Sequence, residues 1–258
     1  MKKMLLLALT MVLVFSGLGD ATAEMCKVKV GTEGAYPPFN YIDSKGNLVG
    51  FDVDIAKALC KAANFDCTFV VQDWDGIIPG LLAKKYDAII ASMNITEERE
   101  KVVDFTDKYY QTPAKFVAKE GAKFEITREG LAGKKVAVQR ATIQENYLRA
   151  YFDKCDIRVY ATQDEASADL VSGRVDLFMS DSVALLEGFL KKPAGAGFEF
   201  IGPSFFDKKY LGRGAGIAIR KGEKELVSAF NEALEKIRAD GTYKMINNKY
   251  FDFDVYGD

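Results

Sequence analysis

The chain is 258 residues long and nearly neutral, with 35 Lys and Arg against 37 Asp and Glu for a net charge of −2, so it carries no basic footprint for nucleic acid. Histidine is absent. That removes His-dependent triads, His metal sites and the commonest general base, and leaves any enzymatic reading with carboxylate, Lys, Tyr, Cys or Ser chemistry.

Lys2 and Lys3, the apolar run from Met4 to Leu18 and the small-residue site Ala21-Thr22-Ala23 read as a secretory signal peptide over residues 1–23. The remainder, about 235 residues starting near Glu24, is long enough for two compact units. Its cysteines are therefore expected in an oxidising compartment. Cys60 and Cys67 flank the short segment from Lys61 to Asp66, which a disulfide could close. Cys26 and Cys155 stay open as a pair, as free thiols or as an intermolecular bond. The residues before Cys26 match a lipid-attachment site poorly.

Lys27 to Val30 alternates polar and apolar and predicts a strand, running into Gly31-Thr32-Glu33-Gly34-Ala35-Tyr36-Pro37-Pro38-Phe39. The two prolines forbid helix and hold Tyr36 extended, so a stiff loop presents Glu33 and Tyr36 at a strand end. A hairpin turn follows over Asp43 to Asn47, and Asp52 is expected to cap a helix through Ile55 and Leu59. Beyond the strand Thr68 to Val71 lies Trp74, the only tryptophan. Set between Asp73 and Asp75 in a polar loop, it suits a binding wall better than a core.

The segment Ser92 to Arg99 follows the apolar run from Tyr86 to Ala91 and reads as strand, loop and helix start. Thr96 is the expected N-cap, which puts Arg99 in the first helical turn, where exposed N–H groups already carry partial positive charge. A carboxylate ligand would satisfy both those N–H groups and the guanidinium fork. Leu81 to Ser92 matches Leu170 to Asp181 position by position, as helix end, basic turn, strand and polar tip. Each half of the chain thus holds a unit of one design, with Ser92 and Asp181 at equivalent tips.

Farther on, Lys135 to Val138 predicts a strand whose tip, Gln139 to Thr142, opens a helix toward Phe152, with a second strand over Ile157 to Tyr160. Helices are expected from Asp164 to Ser172, stopping at Gly173, and from Val183 to Leu190. Gly212 to Arg220 reads as a strand with a glycine-rich start suited to a crossover. Glu223 to Asp240 is an amphipathic helix closed by Gly241, and a short helix ends the pattern over Tyr243 to Phe251.

Taken together, Gly31-Thr32 through Tyr36-Pro37-Pro38-Phe39, Gly50-Phe51-Asp52-Val53-Asp54, Ile95-Thr96 with Arg99, Phe105-Thr106-Asp107, Ala239-Asp240-Gly241-Thr242-Tyr243 and the Cys60 to Cys67 spacing resemble the periplasmic polar amino-acid-binding proteins of ABC importers. Within that family the resemblance is to the lysine/arginine/ornithine- and histidine-binding group. It implies an α/β, two-lobed periplasmic-binding-protein fold of type II, with two crossover strands and a ligand cleft between lobes. Lobe 1 would comprise residues 24–110 and 215–258, lobe 2 residues 115–205, and the hinges residues 111–114 and 206–214. It further implies a periplasmic monomer without a cofactor or metal, delivering a basic L-amino acid to a membrane permease.

Carried over residue by residue, Arg99 would clamp the ligand α-carboxylate with help from Ser92 and Thr142, and Asp181 would take the α-ammonium. Tyr36 and Trp74 would sandwich the side chain, Glu33 would receive a distal positive charge, and Asn94 and Gln144 would complete the set. The chain departs from the family at Ala91, Asn94, Ile143 and Arg140. Turned into the cleft, Arg140 would repel a cationic side chain or supply a second acid-binding group, as an opine ligand would need. Turned outward, it leaves intact the basic reading that Glu33, Tyr36 and Trp74 favour. Two competing functions share the scaffold: a sensor that signals its closed state to a receptor, and a periplasmic dehydratase, for which Glu33 is the obvious acid.

Overall fold

The computed structural model describes residues 25–257, so the expected signal peptide lies outside the described residues. Two five-stranded sheets of matching topology form two α/β lobes. In the first sheet the strands run in the order Phe65–Val71, Cys26–Thr32, Ala88–Ile89, Ala215–Arg220 and Val103–Tyr110. The second runs Asp156–Tyr160, Lys135–Gln139, Leu177–Asp181, Ala114–Lys119 and Phe198–Phe205. In each, the first three strands run parallel, the fourth runs against them, and the fifth, antiparallel to the fourth, returns to the first direction. The chain passes between the sheets twice, after Tyr110 and after Phe205.

The internal repeat extends to single hydrogen bonds. In the first lobe the helix Ile77–Leu82 turns through Lys84, at φ +59, and the Asp87 carboxylate accepts the Lys29 N–H at 2.9 Å. In the second, the helix Gln163–Val171 turns through Gly173, at φ +72, and the Asp176 carboxylate accepts the Lys135 N–H at 2.8 Å. A lysine in the left-handed region shows that this turn is imposed by the packing around it, since only glycine adopts it freely.

Apolar side chains fill both faces of each sheet, as parallel strands covered by helices require. In the first lobe Phe39, Phe51, Tyr109, Tyr110 and Phe251 stack edge and face around the helix Phe51–Ala62. Val183 and Ala184 of the second lobe pack into the same cluster. The Cys60–Cys67 disulfide is present, with a Cα–Cα distance of 6.1 Å, and ties the end of that helix to the strand that follows. Cys26 and Cys155 do not pair.

Three local expectations are revised. The helix that Asp52 was expected to cap is preceded by Gly50 at its N-cap, which places Asp52 inside the first turn. Asp52 is fully buried and accepts hydrogen bonds from Asn40 Nδ2, Ser92 Oγ and Tyr109 Oη, each at 2.8 Å. The apolar run from Tyr86 to Ala91 pairs as a strand only at Ala88–Ile89. The expected helix Val183 to Leu190 is α-helical over Ser182–Leu185 and then widens to a π-helix over Leu186–Leu190. That wider turn carries Gly188 against Pro37 of the opposite lobe, where an added Cβ would lie 3.0 Å from the Pro37 carbonyl oxygen.

Candidate functional site

Between the two sheets lies a cavity that holds about 410 Å³ of empty space, open solvent at its mouth included. From the first lobe it is lined by Glu33, Tyr36, Trp74, Ser92, Asn94 and Arg99, and from the second by Thr142, Gln144 and Asp181. Every ligand-binding candidate named from the sequence thus falls on one wall or the other. Gln139 and Tyr110 line it too and were not anticipated. Gln139 reads as an ordinary strand end, and Tyr110 as core beside a hinge.

One end of the cavity gathers positive charge. Arg99 follows the Thr96 cap, whose hydroxyl accepts the Arg99 N–H at 3.3 Å, and its guanidinium donates to the Asn94 carbonyl at 2.9 Å. The guanidinium also lies 5.3 Å from the centre of the Trp74 ring. Desolvation lowers Arg99 to about 10, with Glu98 partly compensating, which leaves it fully charged at neutral pH. Across the cavity, Thr142 caps the helix Ile143–Tyr151, and its hydroxyl accepts the Glu145 N–H at 3.2 Å. The first residues of that helix, Ile143 and Gln144, face the cavity, bringing a helix N-terminus to the same end as Arg99. Ser92 and Ala141, at φ +56 and +58, hold their loops in the left-handed region on opposite walls. The Ser92 N–H and hydroxyl are engaged by Tyr109 and Asp52.

The carboxylates sit elsewhere on the wall. Asp181 is 7% exposed, caps the helix Ser182–Leu185 through the Val183 and Ala184 N–H groups, and accepts from Thr112 Oγ1. Burial raises it to about 6 against the pull of those donors. Glu33 is 6% exposed and is raised to about 7 by burial, with Asp73, Asp52 and Asp75 adding to the effect and a hydrogen bond from Gln139 opposing it. Tyr36 stacks on Phe39 at 5.7 Å beneath the cavity, and burial beside Asp181 holds its hydroxyl protonated.

Arg140 is not part of this wall. Its exposed guanidinium pairs with Asp75 of the other lobe at 3.2 Å, so it adds no second acid-binding group to the cavity. The lobes also meet through Trp74 Nε1 donating to the Ala141 carbonyl at 3.0 Å and Asn146 Nδ2 donating to Glu98 at 3.3 Å. The cleft is closed.

The site thus holds one guanidinium with a helix N-terminus at one pole, two buried carboxylates, and aromatic faces between them. Comparison with known proteins gives the same direction. Residues 28–253 match the model for bacterial extracellular solute-binding proteins, family 3. The chain is 50% identical over 232 residues to an L-arginine-binding protein of Pseudomonas aeruginosa, covering 89% of this chain and 90% of that one. It is 43% identical over 261 residues to the lysine/arginine/ornithine-binding periplasmic protein of Escherichia coli K12, across 100% of both. An ancestral arginine-binding protein bound to arginine superposes with a TM-score of 0.80 at 40% identity, covering 87% of this chain and 98% of that one. An ancestral amino acid-binding protein described as a precursor of cyclohexadienyl dehydratase gives 0.77 at 34%, covering 88% and 96%.

Proposed function

The chain belongs to the bacterial extracellular solute-binding proteins of family 3, and on that footing we propose that it is a periplasmic receptor for a basic L-amino acid. Arginine, lysine or ornithine is the expected ligand, with histidine a weaker candidate; the lobes close on it and an ABC permease receives it. The observation that carries this is the charge of the cavity wall. Glu33 and Asp181 outnumber Arg99 by one negative charge, and a basic amino acid, with two cationic groups and one carboxylate, brings the single positive charge that balances it. A neutral amino acid brings no such charge, and Glu33, raised to about 7, would rest protonated beside it rather than paired.

In this reading Arg99 and the N-terminus at Thr142 hold the α-carboxylate, and Asp181 the α-ammonium. Tyr36 and Trp74 flank the side chain, Glu33 takes its distal charge, and Ser92, Asn94 and Gln144 complete the wall. Residues 24–110 with 215–258 form one lobe and 115–205 the other, hinged at 111–114 and 206–214. The protein works as a monomer without a cofactor, exported by the signal peptide at residues 1–23.

The test is a thermal-shift panel on refolded, ligand-stripped protein against the twenty L-amino acids, ornithine, citrulline and opines. Ligand at a thousandfold its Kd adds about 4 kcal/mol, a shift of several degrees. A rise confined to basic amino acids and lost in Arg99→Ala and Asp181→Ala is expected; a rise only with opines or acidic ligands would overturn the assignment. The raised Glu33 favours one second reading, a dehydratase with Glu33 as general acid. Turnover of a cyclic hydroxy acid by the wild type, lost in Glu33→Gln, would establish it. The kinship with binding proteins, and an Arg99–Asp181 arrangement suited to a zwitterion, favour the receptor.

A further inference from the structure

Gln139 ends the strand Lys135–Gln139, is 2% exposed, and reaches the cavity from the lobe opposite Glu33. Its side-chain amide is fully committed. Nε2 donates one hydrogen to Glu33 Oε1 at 2.6 Å and the other to the Ala161 carbonyl at 3.0 Å. Oε1 accepts from Gln163 Nε2 at 2.7 Å. Turning the amide over would set its oxygen against a carboxylate and a carbonyl and its NH₂ against another NH₂, so only one orientation is tenable. Gln163, the first residue of the helix Gln163–Val171, faces inward at a cost, because its own Oε1 is buried without a hydrogen-bond donor among the described residues.

We propose that Gln139, held in register by Gln163, is the positioning residue that sets which ligand side chains the cavity accepts: its hydrogen bond favours the carboxylate form of Glu33, with one oxygen occupied and the other left for a cation. The inference rests on the receptor reading and deepens it. The other groups around Glu33 are Asp73 and Asp75 on the loop after Val71, Asp52 on the helix Phe51–Ala62, and the buried hydroxyl of Tyr36. The three carboxylates disfavour a further negative charge on Glu33. Arg140, next to Gln139 in the chain, is engaged with Asp75 outside the cavity. Gln139 is thus the donor that opposes protonation of Glu33. Without it Glu33 takes up a proton and presents a neutral carboxylic acid, which suits a side-chain amide and no longer neutralises a guanidinium or ammonium.

The experiment is calorimetric titration of wild type, Gln139→Leu and Gln163→Ala with L-arginine and L-glutamine across a pH series from about 5.5 to 9. In the wild type, arginine affinity falls as Glu33 protonates on acidification. Gln139→Leu moves that midpoint upward by about one pH unit and lowers the arginine-to-glutamine preference at pH 7 about tenfold, with the preference returning near pH 9. A packing defect alone would not be repaired by alkali. Gln163→Ala frees the amide to turn over and shifts the midpoint the same way by less, and it carries the test if Gln139→Leu does not fold. Variants with the wild-type midpoint and preference overturn the inference alone. A wild type that binds no basic amino acid overturns the receptor reading and the inference with it.

Discussion

Replacing Glu33 by glutamine should make the empty protein more stable and the receptor worse. The pKa of Glu33 moves from an ordinary 4.5 to about 7 on folding, chiefly through burial, and the side chain is 6% exposed, so solvent screening is slight. Keeping it ionised at pH 8 therefore costs the folded state about 3 kcal/mol. For a carboxylate raised in this way, the protonated form's stability is fully present below about 4.5 and is lost as pH rises through about 7. Glu33→Gln removes that loss. Its amide oxygen can still accept from Gln139, so a net gain of about 2 kcal/mol at pH 8 is expected, some 4–8 °C for a protein of this size, after the amide's own desolvation. The gain should fade as pH falls below about 4.5, where wild-type Glu33 becomes protonated in both states. Arginine affinity should meanwhile fall about thirtyfold or more through loss of a charge-assisted partner. Scanning calorimetry of ligand-stripped protein at several pH values, with titration calorimetry beside it, reads both. A variant that melts lower than wild type at pH 8, or binds arginine as tightly, would refute the reasoning.

Asp52→Ala should destabilise the protein by about 3–5 kcal/mol in urea titration, because Asn40, Ser92 and Tyr109 all lose the acceptor they share; a loss below about 1 kcal/mol would mean that water takes its place. Cys60→Ser should cost about 2 kcal/mol, as expected for opening so short a closed loop, with ligand affinity unchanged because the bridge does not line the cavity; an affinity change would tie it to the site. Gly188→Val places a branched side chain against Pro37 of the opposite lobe and should prop the cleft open. Ligand affinity should drop about tenfold or more at an unchanged unfolding midpoint, and X-ray scattering with ligand should show a larger radius of gyration than wild type. Scattering like that of the closed wild type would refute it.

What the sequence determined by itself was local. Periodicity and capping residues located most helices, because a Thr at an N-cap and a Gly past a helix end act on backbone groups a few residues away. The eight-residue span from Cys60 to Cys67 made that pairing legible for the same reason. The repeat of Leu81 to Ser92 in Leu170 to Asp181 showed that two like units exist, and its strand tips carried Ser92 and Asp181 to one cavity. The fold and the residues that line the cavity were readable this far.

Tertiary structure decided whatever depends on residues far apart in the chain. Asp52 carries the mark of a cap, yet its partners Ser92 and Tyr109 lie 40 and 57 positions away, and only the sheet register brings them to it. Arg140 could have faced either way; Asp75, across the cleft, holds it outside. Gln139 looked like an ordinary strand end until lobe closure set it against Glu33, 106 positions earlier. Propensity acts over a turn or two of chain, whereas the charge state of a buried carboxylate depends on every group packed around it. The closed arrangement of two lobes therefore fixes how Glu33 behaves.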